Sequence, residues 1–286
     1  MTTSTLPQEL IVVTGASSGM GAASAAEFAR RGFHVLAGVR RDQDAQAIRD
    51  PRIEPVIIDI TNPEHIADLA KRVDADGRRL RALVNNAGIA VNAPVEILPI
   101  DQWRHQFEVN LFGHVAVTQA LMPALIQSKG RVVNITSVGG KVAMATYGAY
   151  AGAKFALEAV SDSLRREVAP FGVQVVVVQP GAVTTAMAGR GSETAHRLAS
   201  NMTPDQSARY SALVQAIVAQ ADSFTKAGLP AVKAAKVIAE AATARRPRTR
   251  YTIGRDAAIL VRLSRMLSDR MLDRILALNL RSHFPK

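Results

Sequence analysis

The chain has 286 residues, of which 48% are hydrophobic and 21% charged, and its formal net charge at pH 7 is +11. This composition excludes the disordered and fibrous classes and supplies enough apolar side chains for one large core. Because the chain contains no cysteine, disulfides, thiolate nucleophiles and cysteine metal sites are excluded. Its six histidines lack metal-ligand spacing, so we expect no metal.

The sequence carries no continuous apolar run of about 18 residues and no amino-terminal secretion signal. We therefore expect a cytoplasmic protein. The basic excess is concentrated near the carboxyl end, where residues 245–286 hold eleven Lys and Arg against three Asp. No nucleic-acid motif accompanies these arginines, so we do not expect nucleic-acid binding.

Short β-branched runs alternate with longer amphipathic segments along the chain. Strands are predicted at 10–13, 34–39, 55–58, 82–84, 131–135 and 173–178, with a seventh at 250–253. Helices are predicted at 19–31, 63–73, 101–126, 147–169 and 231–243. This alternation predicts an α/β protein with a single-domain Rossmann fold over residues 1–286: a doubly wound, mainly parallel seven-stranded sheet with helices on both faces.

Two segments depart from this alternation. Residues 184–229 form a long connection, which we interpret as a substrate lid because connections of this length usually serve function. Residues 255–286 form a basic amphipathic extension, with one helix predicted over 256–280. Its apolar stripe is expected to pack on the body or on another subunit; a weak contact with an anionic membrane is the alternative.

A glycine-rich turn, Thr14-Gly15-Ala16-Ser17-Ser18-Gly19-Met20-Gly21, joins the first strand to the first helix. Such a turn lets backbone N–H groups at the helix start approach a pyrophosphate. Glycines that serve only a tight turn are the structural alternative. The spacing Thr-Gly-x-x-x-Gly-x-Gly resembles the nucleotide turn of the short-chain dehydrogenase/reductase family.

Further matches to that family follow in the same order over residues 9–254. They are Asn85-Asn86-Ala87-Gly88, Asn110, Ser137, Tyr150-Ala151-Gly152-Ala153-Lys154 and Pro180-Gly181-Ala182-Val183-Thr184-Thr185. The chain length and the Pro247–Tyr251 segment are similar to the hydroxysteroid and retinol dehydrogenase branch. The resemblance implies an oxidoreductase that acts on an alcohol or ketone, and a homodimer or homotetramer.

Four residues form the candidate catalytic set: Asn110, Ser137, Tyr150 and Lys154. Tyr150 and Lys154 are four positions apart on a helix, so both project from one face, and a nearby ammonium favours the tyrosine phenolate. Tyr150 is therefore the expected acid/base, and Ser137 at a strand end is expected to orient the substrate oxygen. The resemblance further implies that Lys154 contacts the nicotinamide ribose and that Asn110 positions a water.

The end of the second strand predicts the cofactor. Arg40 and Arg41 stand where a basic group would bind a 2′-phosphate, which favours NADP(H); NAD(H), served by Asp42, is the less favoured alternative. Asp59 and Ile60 resemble the adenine-contacting pair of the family. The expected cofactor-binding set is Gly15, Ser17, Ser18, Gly19, Met20, Gly21, Arg40, Arg41, Asp59, Ile60, Asn86, Ala87, Gly88, Tyr150, Lys154, Pro180, Gly181, Val183 and Thr185.

The expected substrate site is mostly apolar and predicts a hydrophobic secondary alcohol or ketone, steroid-, retinoid- or lipid-like. Its members are Ser137, Val138, Val142, Met144, Tyr150 and Met187. Two alternatives remain open: a 3-oxoacyl-thioester reductase of the same family, and a non-catalytic NADPH-binding regulator.

Overall fold

The computed structural model describes residues 8–285. Residues 1–7 of the predicted domain and Lys286 of the predicted basic tail lie outside this range. Strands alternate with helices through most of the described chain. The strands are β1 Leu10–Val13, β2 His34–Val39, β3 Ile53–Ile57, β4 Leu80–Asn85, β5 Arg131–Ile135, β6 Gln174–Pro180, β7 Val183–Thr184, β8 Leu229–Pro230 and β9 Arg250–Ile253.

Helices connect these strands and cover both faces of the main sheet. They are α1 Gly19–Arg30, α2 Asp42–Ile48, α3 Pro63–Asp74, α4 Ile100–Phe107, α5 Gly113–Ser128, α6 Gly148–Val168, α7 Ala186–Ala199, α8 Pro204–Ala227, α9 Ala231–Thr243, α10 Arg255–Met266 and α11 Asp269–Arg281.

Seven parallel strands form one sheet in the order β3-β2-β1-β4-β5-β6-β9. The predicted doubly wound, seven-stranded fold is therefore confirmed. The strand order reverses between β1 and β4, and open α/β sheets bind ligands at such a switch point. A separate two-stranded sheet pairs β7 with β8.

The alternation of side chains along each strand builds two core layers. In β1, Ile11 and Val13 pack on the layer that contains α1 and α9, whereas Leu10 and Val12 pack on the layer that contains α3 and α5. All four side chains are buried because helices cover both faces. This explains why the strands are continuous apolar runs rather than half-polar ones.

Several elements differ from the predicted ones. The short helix α2 was not predicted, and it buries none of its residues, so it has no apolar stripe to reveal it. The predicted helix 101–126 is interrupted by a π-helical turn at Glu108–Phe112. The predicted lid holds two helices, α7 and α8, and the carboxyl-terminal extension holds α10 and α11 instead of one helix.

The helical stretch Ile100–Ser128 is long and apolar enough to cross a membrane by length and composition, with a mean hydropathy of 1.4. Its Val117, Leu121 and Leu125 side chains are buried in the core beneath the sheet. The apolar composition of this stretch therefore fits packing inside the domain.

The extension packs only thinly on the body, and α11 buries none of its residues. Large apolar side chains on α10 and α11 remain exposed, among them Ile259, Met266 and Leu278. Packing of these side chains on another subunit, and the alternative contact with an anionic membrane, both stay predictions.

Candidate active site

The glycine turn is held against the end of β4 at the switch point. Gly15 has a φ of +66°, and a Cβ there would lie 2.6 Å from the Ala87 Cα. The Thr14 hydroxyl oxygen accepts the backbone N–H groups of Asn86 at 3.0 Å and Ala87 at 3.1 Å. Only glycine fits such a close approach in the left-handed region, so the turn is fixed by its neighbours as well as by its own conformation.

The start of α1 offers free backbone donors. Ser18 precedes this helix in extended conformation and its side chain makes no capping hydrogen bond. The Asn86 amide donates to the carbonyls of Thr14 at 3.0 Å and Gly15 at 3.1 Å, which fastens the glycine turn to the end of β4. A helix start with uncapped N–H groups beside a glycine cradle fits the pyrophosphate of a dinucleotide.

A groove runs from this turn along the ends of β2, β3 and β4. Thirteen members of the expected cofactor set line it: Gly15, Ser17, Ser18, Gly19, Met20, Gly21, Arg40, Asp59, Ile60, Asn86, Ala87, Gly88 and Thr185. Of the other six members, four line an adjoining cavity and two line neither space: the four are Tyr150, Pro180, Gly181 and Val183, and the two are Arg41 and Lys154.

The two arginines at the end of β2 have different environments. Arg41 makes a bidentate pair with Asp44, at 2.8 and 2.9 Å, and does not line the groove. Here the Arg41 guanidinium pairs with the first turn of α2 and not with the groove, and its contact with a cofactor stays a prediction. Arg40 lines the groove, whereas Asp42, the residue of the NAD alternative, is exposed outside it.

Asp59 lies where an adenine-contacting residue is expected, at the edge of the groove. One of its carboxylate oxygens accepts from the Thr61 backbone N–H at 2.9 Å and from the Thr61 hydroxyl at 2.7 Å. Burial raises the pKa of Asp59, but these hydrogen bonds outweigh it and keep the pKa below its usual value. Asp59 is thus an ionised turn residue whose carboxylate borders the groove.

The adjoining cavity has a volume of about 410 Å³, within the range of small-molecule sites. Five of the six residues expected at the substrate site line it: Ser137, Val138, Met144, Tyr150 and Met187. Val142 is buried and does not line the cavity. Met20, Thr185 and Met187 border both spaces, so the cavity opens directly beside the groove.

Tyr150 and Ser137 lie together at the floor of this cavity. A Cβ added to Gly139 would lie 3.2 Å from a ring carbon of Tyr150 and 3.3 Å from the Ser137 hydroxyl oxygen. Ser137 caps the short turn Val138–Gly140, and its oxygen accepts the Gly139 N–H at 3.0 Å. The missing side chain at Gly139 thus allows the phenol and the hydroxyl to approach each other.

Burial sets the protonation of the central pair. It raises the pKa of Tyr150, and a hydrogen bond with Ser137 acts in the opposite direction. Burial also lowers the pKa of Lys154 to about 8. The Lys154 ammonium lies 6.0 Å from the centre of the Tyr150 ring and donates to the Ile135 carbonyl at 2.9 Å, so its favouring of the phenolate stays a prediction.

Asn110 lies in the π-helical turn between α4 and α5 and is fully buried. Its side chain pairs with Ile89, accepting that residue's N–H and donating to its carbonyl, each at 2.9 Å. This pairing holds the segment after β4 beside the groove. π-Turns inside α-helices are often found at functional sites.

A buried carboxylate on α6 holds together the segments around Ser137. Glu158, one turn after Lys154 on α6, accepts from the Thr136 hydroxyl and the Gln179 amide, both at 2.8 Å. Its other oxygen lies 3.0 Å from Lys141 and from Arg250. This arrangement joins α6, β6 and β9 to the turn that carries Ser137.

Several site residues were missed by the sequence analysis. Tyr147 lines the cavity one turn before Tyr150, with the two rings edge to face at 6.2 Å. Its position three residues before Tyr150 was the signal in the sequence that could have identified it. Asn92 lines the cavity, and Arg190 and His105 line the groove. Within residues 8–285, no group of three metal-ligating side chains is assembled.

Comparison with known proteins agrees with this geometry. A family model described as short chain dehydrogenase matches residues 9–196. Retinol dehydrogenase 5 of Mus musculus is 39% identical over 279 residues, which cover 93% of this chain and 87% of that protein.

Two solved structures share the fold and hold different nucleotides. A short chain dehydrogenase from Burkholderia cenocepacia in complex with NADP has a TM-score of 0.71 at 26% identity, covering 97% of this chain and 98% of its own. A short chain dehydrogenase/reductase from Burkholderia phymatum in complex with NAD has a TM-score of 0.77 at 23% identity, covering 93% and 95%.

Proposed function

Because the chain belongs to the short-chain dehydrogenase family, in its retinol dehydrogenase-like branch, we propose that it transfers a hydride between NADP(H) and a hydrophobic secondary alcohol or ketone. The family makes it an oxidoreductase that acts on alcohol or ketone groups. The nucleotide, the substrate class and the roles of the individual residues are the proposal.

One observation carries this proposal: a groove suited to a dinucleotide and an apolar cavity meet at Met20, Thr185 and Met187. Tyr150 and Ser137 line the cavity beside this junction. A carbonyl oxygen that binds between the phenol and the hydroxyl would place its carbon toward the groove. The residues that line the groove would hold NADP(H), whose nicotinamide would supply or accept the hydride.

Tyr150 transfers the proton in this proposal, and Ser137 and Lys154 assist it. The pKa of Tyr150 is raised by burial, so the phenol stays protonated at neutral pH and can donate its proton to a substrate oxygen during reduction. The Ser137 hydroxyl orients the same oxygen and stabilises its developing charge. When Lys154 is charged, its ammonium stabilises the phenolate that remains, and in oxidation the phenolate takes the proton back.

Arg40 supports the choice of NADP(H). Its guanidinium side chain borders the groove at the end of β2, whereas Arg41 is engaged by Asp44. Guanidinium groups recognise phosphate by charge-assisted hydrogen bonds. Among the described residues that line the groove, none directly after β2 carries a carboxylate, whereas a ribose with a free 2′-hydroxyl would need one there.

The test is consumption of NADPH and NADH by the purified protein with a panel of steroid, retinoid, long-chain and small polar carbonyls and 3-oxoacyl thioesters. The matched control is Tyr150→Phe, which keeps the ring and removes the hydroxyl. We expect NADPH-dependent turnover of apolar carbonyls by the wild type and its loss in the variant.

Other outcomes would contradict the proposal. Preference for NADH would overturn the role of Arg40. Preference for 3-oxoacyl thioesters would replace the substrate class, and tight NADPH binding without turnover of any compound would favour a regulator. Cytoplasmic location and the lack of a nucleic-acid partner stay predictions.

A further inference from the structure

The segment that follows β4 contributes a wall of the substrate cavity, which Ala90 and Asn92 line. Both residues lie under the lid helix α7. A Cβ added to Gly191 of that helix would lie 3.8 Å from the Ala90 Cβ and 3.7 Å from the Asn92 Nδ2. Because Gly191 also lines the cavity, the Asn92 amide lies where this wall meets the lid.

Hydrogen bonds from other residues fix the backbone on both sides of Asn92. The Val91 N–H donates to the Oε1 of the fully buried Gln106 at 2.8 Å. On the other side, the Ala93 N–H donates to the Thr146 carbonyl at 3.0 Å. The segment is therefore held in place without a contribution from the Asn92 side chain.

The Asn92 amide is buried and lacks a partner. The residue has 7% of its surface exposed, and its Oδ1 is enclosed without a hydrogen-bond partner in the part of the chain that the structure describes. Because Oδ1 is enclosed, Nδ2 is the polar side-chain atom through which Asn92 can meet a ligand in the cavity. An enclosed amide without partners costs free energy that an apolar side chain of the same size would avoid, which points to a role in binding.

We propose that Asn92 is a specificity-determining residue whose Nδ2 donates a hydrogen bond to a second oxygen of the substrate, apart from the oxygen held by Ser137 and Tyr150. This inference rests on the proposed function and narrows its substrate class. The ligand is an apolar body that carries an ether, carbonyl or hydroxyl oxygen in addition to its reacting group. The apolar lining of the cavity accommodates the rest of the body.

This assignment has a physical consequence for selectivity. A substrate without the second oxygen covers the Nδ2 donors and gives them no acceptor, and unpaired polar groups cost binding free energy. One hydrogen bond at such a site changes kcat/KM by about tenfold. Exchange of a methylene for an ether oxygen is the smallest change that tests this, because it keeps the length of the ligand and adds one acceptor.

The experiment uses NADPH with long-chain methyl ketones and with analogues in which one methylene, at successive positions along the chain, is replaced by an ether oxygen. The readout is the ratio of kcat/KM between each analogue and its parent ketone, for wild type and Asn92→Leu. Comparison between the two proteins cancels the intrinsic reactivity of each analogue. The matched control is Thr225→Val: Thr225 also lines the cavity, but its hydroxyl donates to the Ala221 carbonyl of its own helix at 2.8 Å.

At one position of the ether oxygen, we expect the ratio to be about tenfold higher in wild type than in Asn92→Leu. The control Thr225→Val should keep the wild-type ratio at that position. Equal ratios in wild type and Asn92→Leu at every position would overturn the inference. So would the same change of ratio in Thr225→Val, because the effect would then not be specific to the Asn92 amide.

The urea midpoint separates recognition from a structural role. Because the Asn92 amide has no partner, Asn92→Leu should keep or raise the midpoint. In contrast, Gln106→Leu removes the bonds to the Val91 N–H and the Ile89 carbonyl, both at 2.8 Å, and should lower it. A midpoint for Asn92→Leu as low as that of Gln106→Leu would overturn the inference, because the amide would then hold the segment.

A further readout does not depend on turnover. Calorimetric titration of the same ketones into wild type and Asn92→Leu, with and without NADPH, should show the same preference in dissociation constants. If no ketone is turned over but the wild type prefers one ether analogue and Asn92→Leu does not, the proposed reaction fails and the role of Asn92 stands. If ketones are turned over with equal ratios in both proteins, the role of Asn92 fails and the reaction stands.

Discussion

The ammonium of Lys154 lies 6.0 Å from the centre of the Tyr150 ring and donates a 2.9 Å hydrogen bond to the carbonyl of Ile135. In this position the lysine is anchored to the end of β5 and remains near the phenol without touching it. Burial lowers its pKa to about 8, so its charge is present at neutral pH and is lost on mild alkalinisation.

The charge of Lys154 predicts the pH dependence of reduction. As the pH rises through about 8, the ammonium loses its proton, and kcat/KM for NADPH-dependent reduction should fall. Lys154→Arg keeps a positive charge to higher pH, so its alkaline fall should move upward even though its rate is lower. An unchanged profile in the variant would show that another group titrates.

The burial of Lys154 also makes the free energy of unfolding depend on pH. In the unfolded chain the lysine titrates near 10.5, so between about pH 8 and that value the unfolded state binds more protons, and the stability contributed by this residue rises with pH. Lys154→Met should remove this rise. Urea denaturation at two pH values within the window, compared for the two proteins, measures it.

Much of the fold follows from sequence pattern, because the buried strands are β-branched runs and the strand–helix alternation leaves few topologies. The lid helices were less visible, although Thr203 and Gln206 form a capping box with Pro204 at the first helical position, a pattern that marks a helix start. Ser268 followed by Asp269 likewise marks the start of α11.

Several properties of the candidate site cannot be predicted from sequence patterns. Motif spacing predicts that Tyr150 and Lys154 share a helix face, but the direction of the Tyr150 pKa shift depends on burial by distant segments. Arg40 and Arg41 are equivalent in sequence; only the position of Asp44 on α2 separates them.

The two arginines provide a matched pair for cofactor recognition. Arg40→Ala should weaken NADPH binding by about tenfold to a hundredfold, because a charge-assisted hydrogen bond contributes about 1.5–3 kcal/mol, and should leave NADH binding nearly unchanged. Arg41→Ala should change neither. Dissociation constants from fluorescence titration check this, and an equal effect of both variants would contradict the assignment.

The buried carboxylate of Glu158 predicts an effect on the free energy of unfolding. Glu158→Gln removes the charge that faces Arg250 and Lys141, and breaking a buried ion pair costs about 3 kcal/mol. The control is Glu167→Gln on the same helix, where the side chain is exposed and accepts a hydrogen bond from the Ser163 hydroxyl. Urea midpoints measure both; similar midpoints for the two variants would contradict the role of Glu158.

Exposed aromatic residues on the helices beside the site predict self-association. Phe112, in the π-helical turn between α4 and α5, is 53% exposed, and Phe155, on α6, is 43% exposed. We predict that they lie in the interface of the dimer or tetramer that the family resemblance implies. Light scattering should show a dimer or tetramer, and Phe112→Glu should dissociate it. Phe171→Glu, at a side chain 54% exposed elsewhere, should not. A monomeric wild type would refute the prediction.

Isotope transfer tests the central claim most directly. NADPH that carries deuterium at the transferable position of its nicotinamide is incubated with the protein and an apolar ketone that the panel identifies, and the alcohol is analysed by mass spectrometry. The account predicts one deuterium on the new carbinol carbon for wild type and no labelled product for Tyr150→Phe. Oxidation of the cofactor without label in the alcohol, or labelled alcohol formed equally fast by the variant, would contradict it.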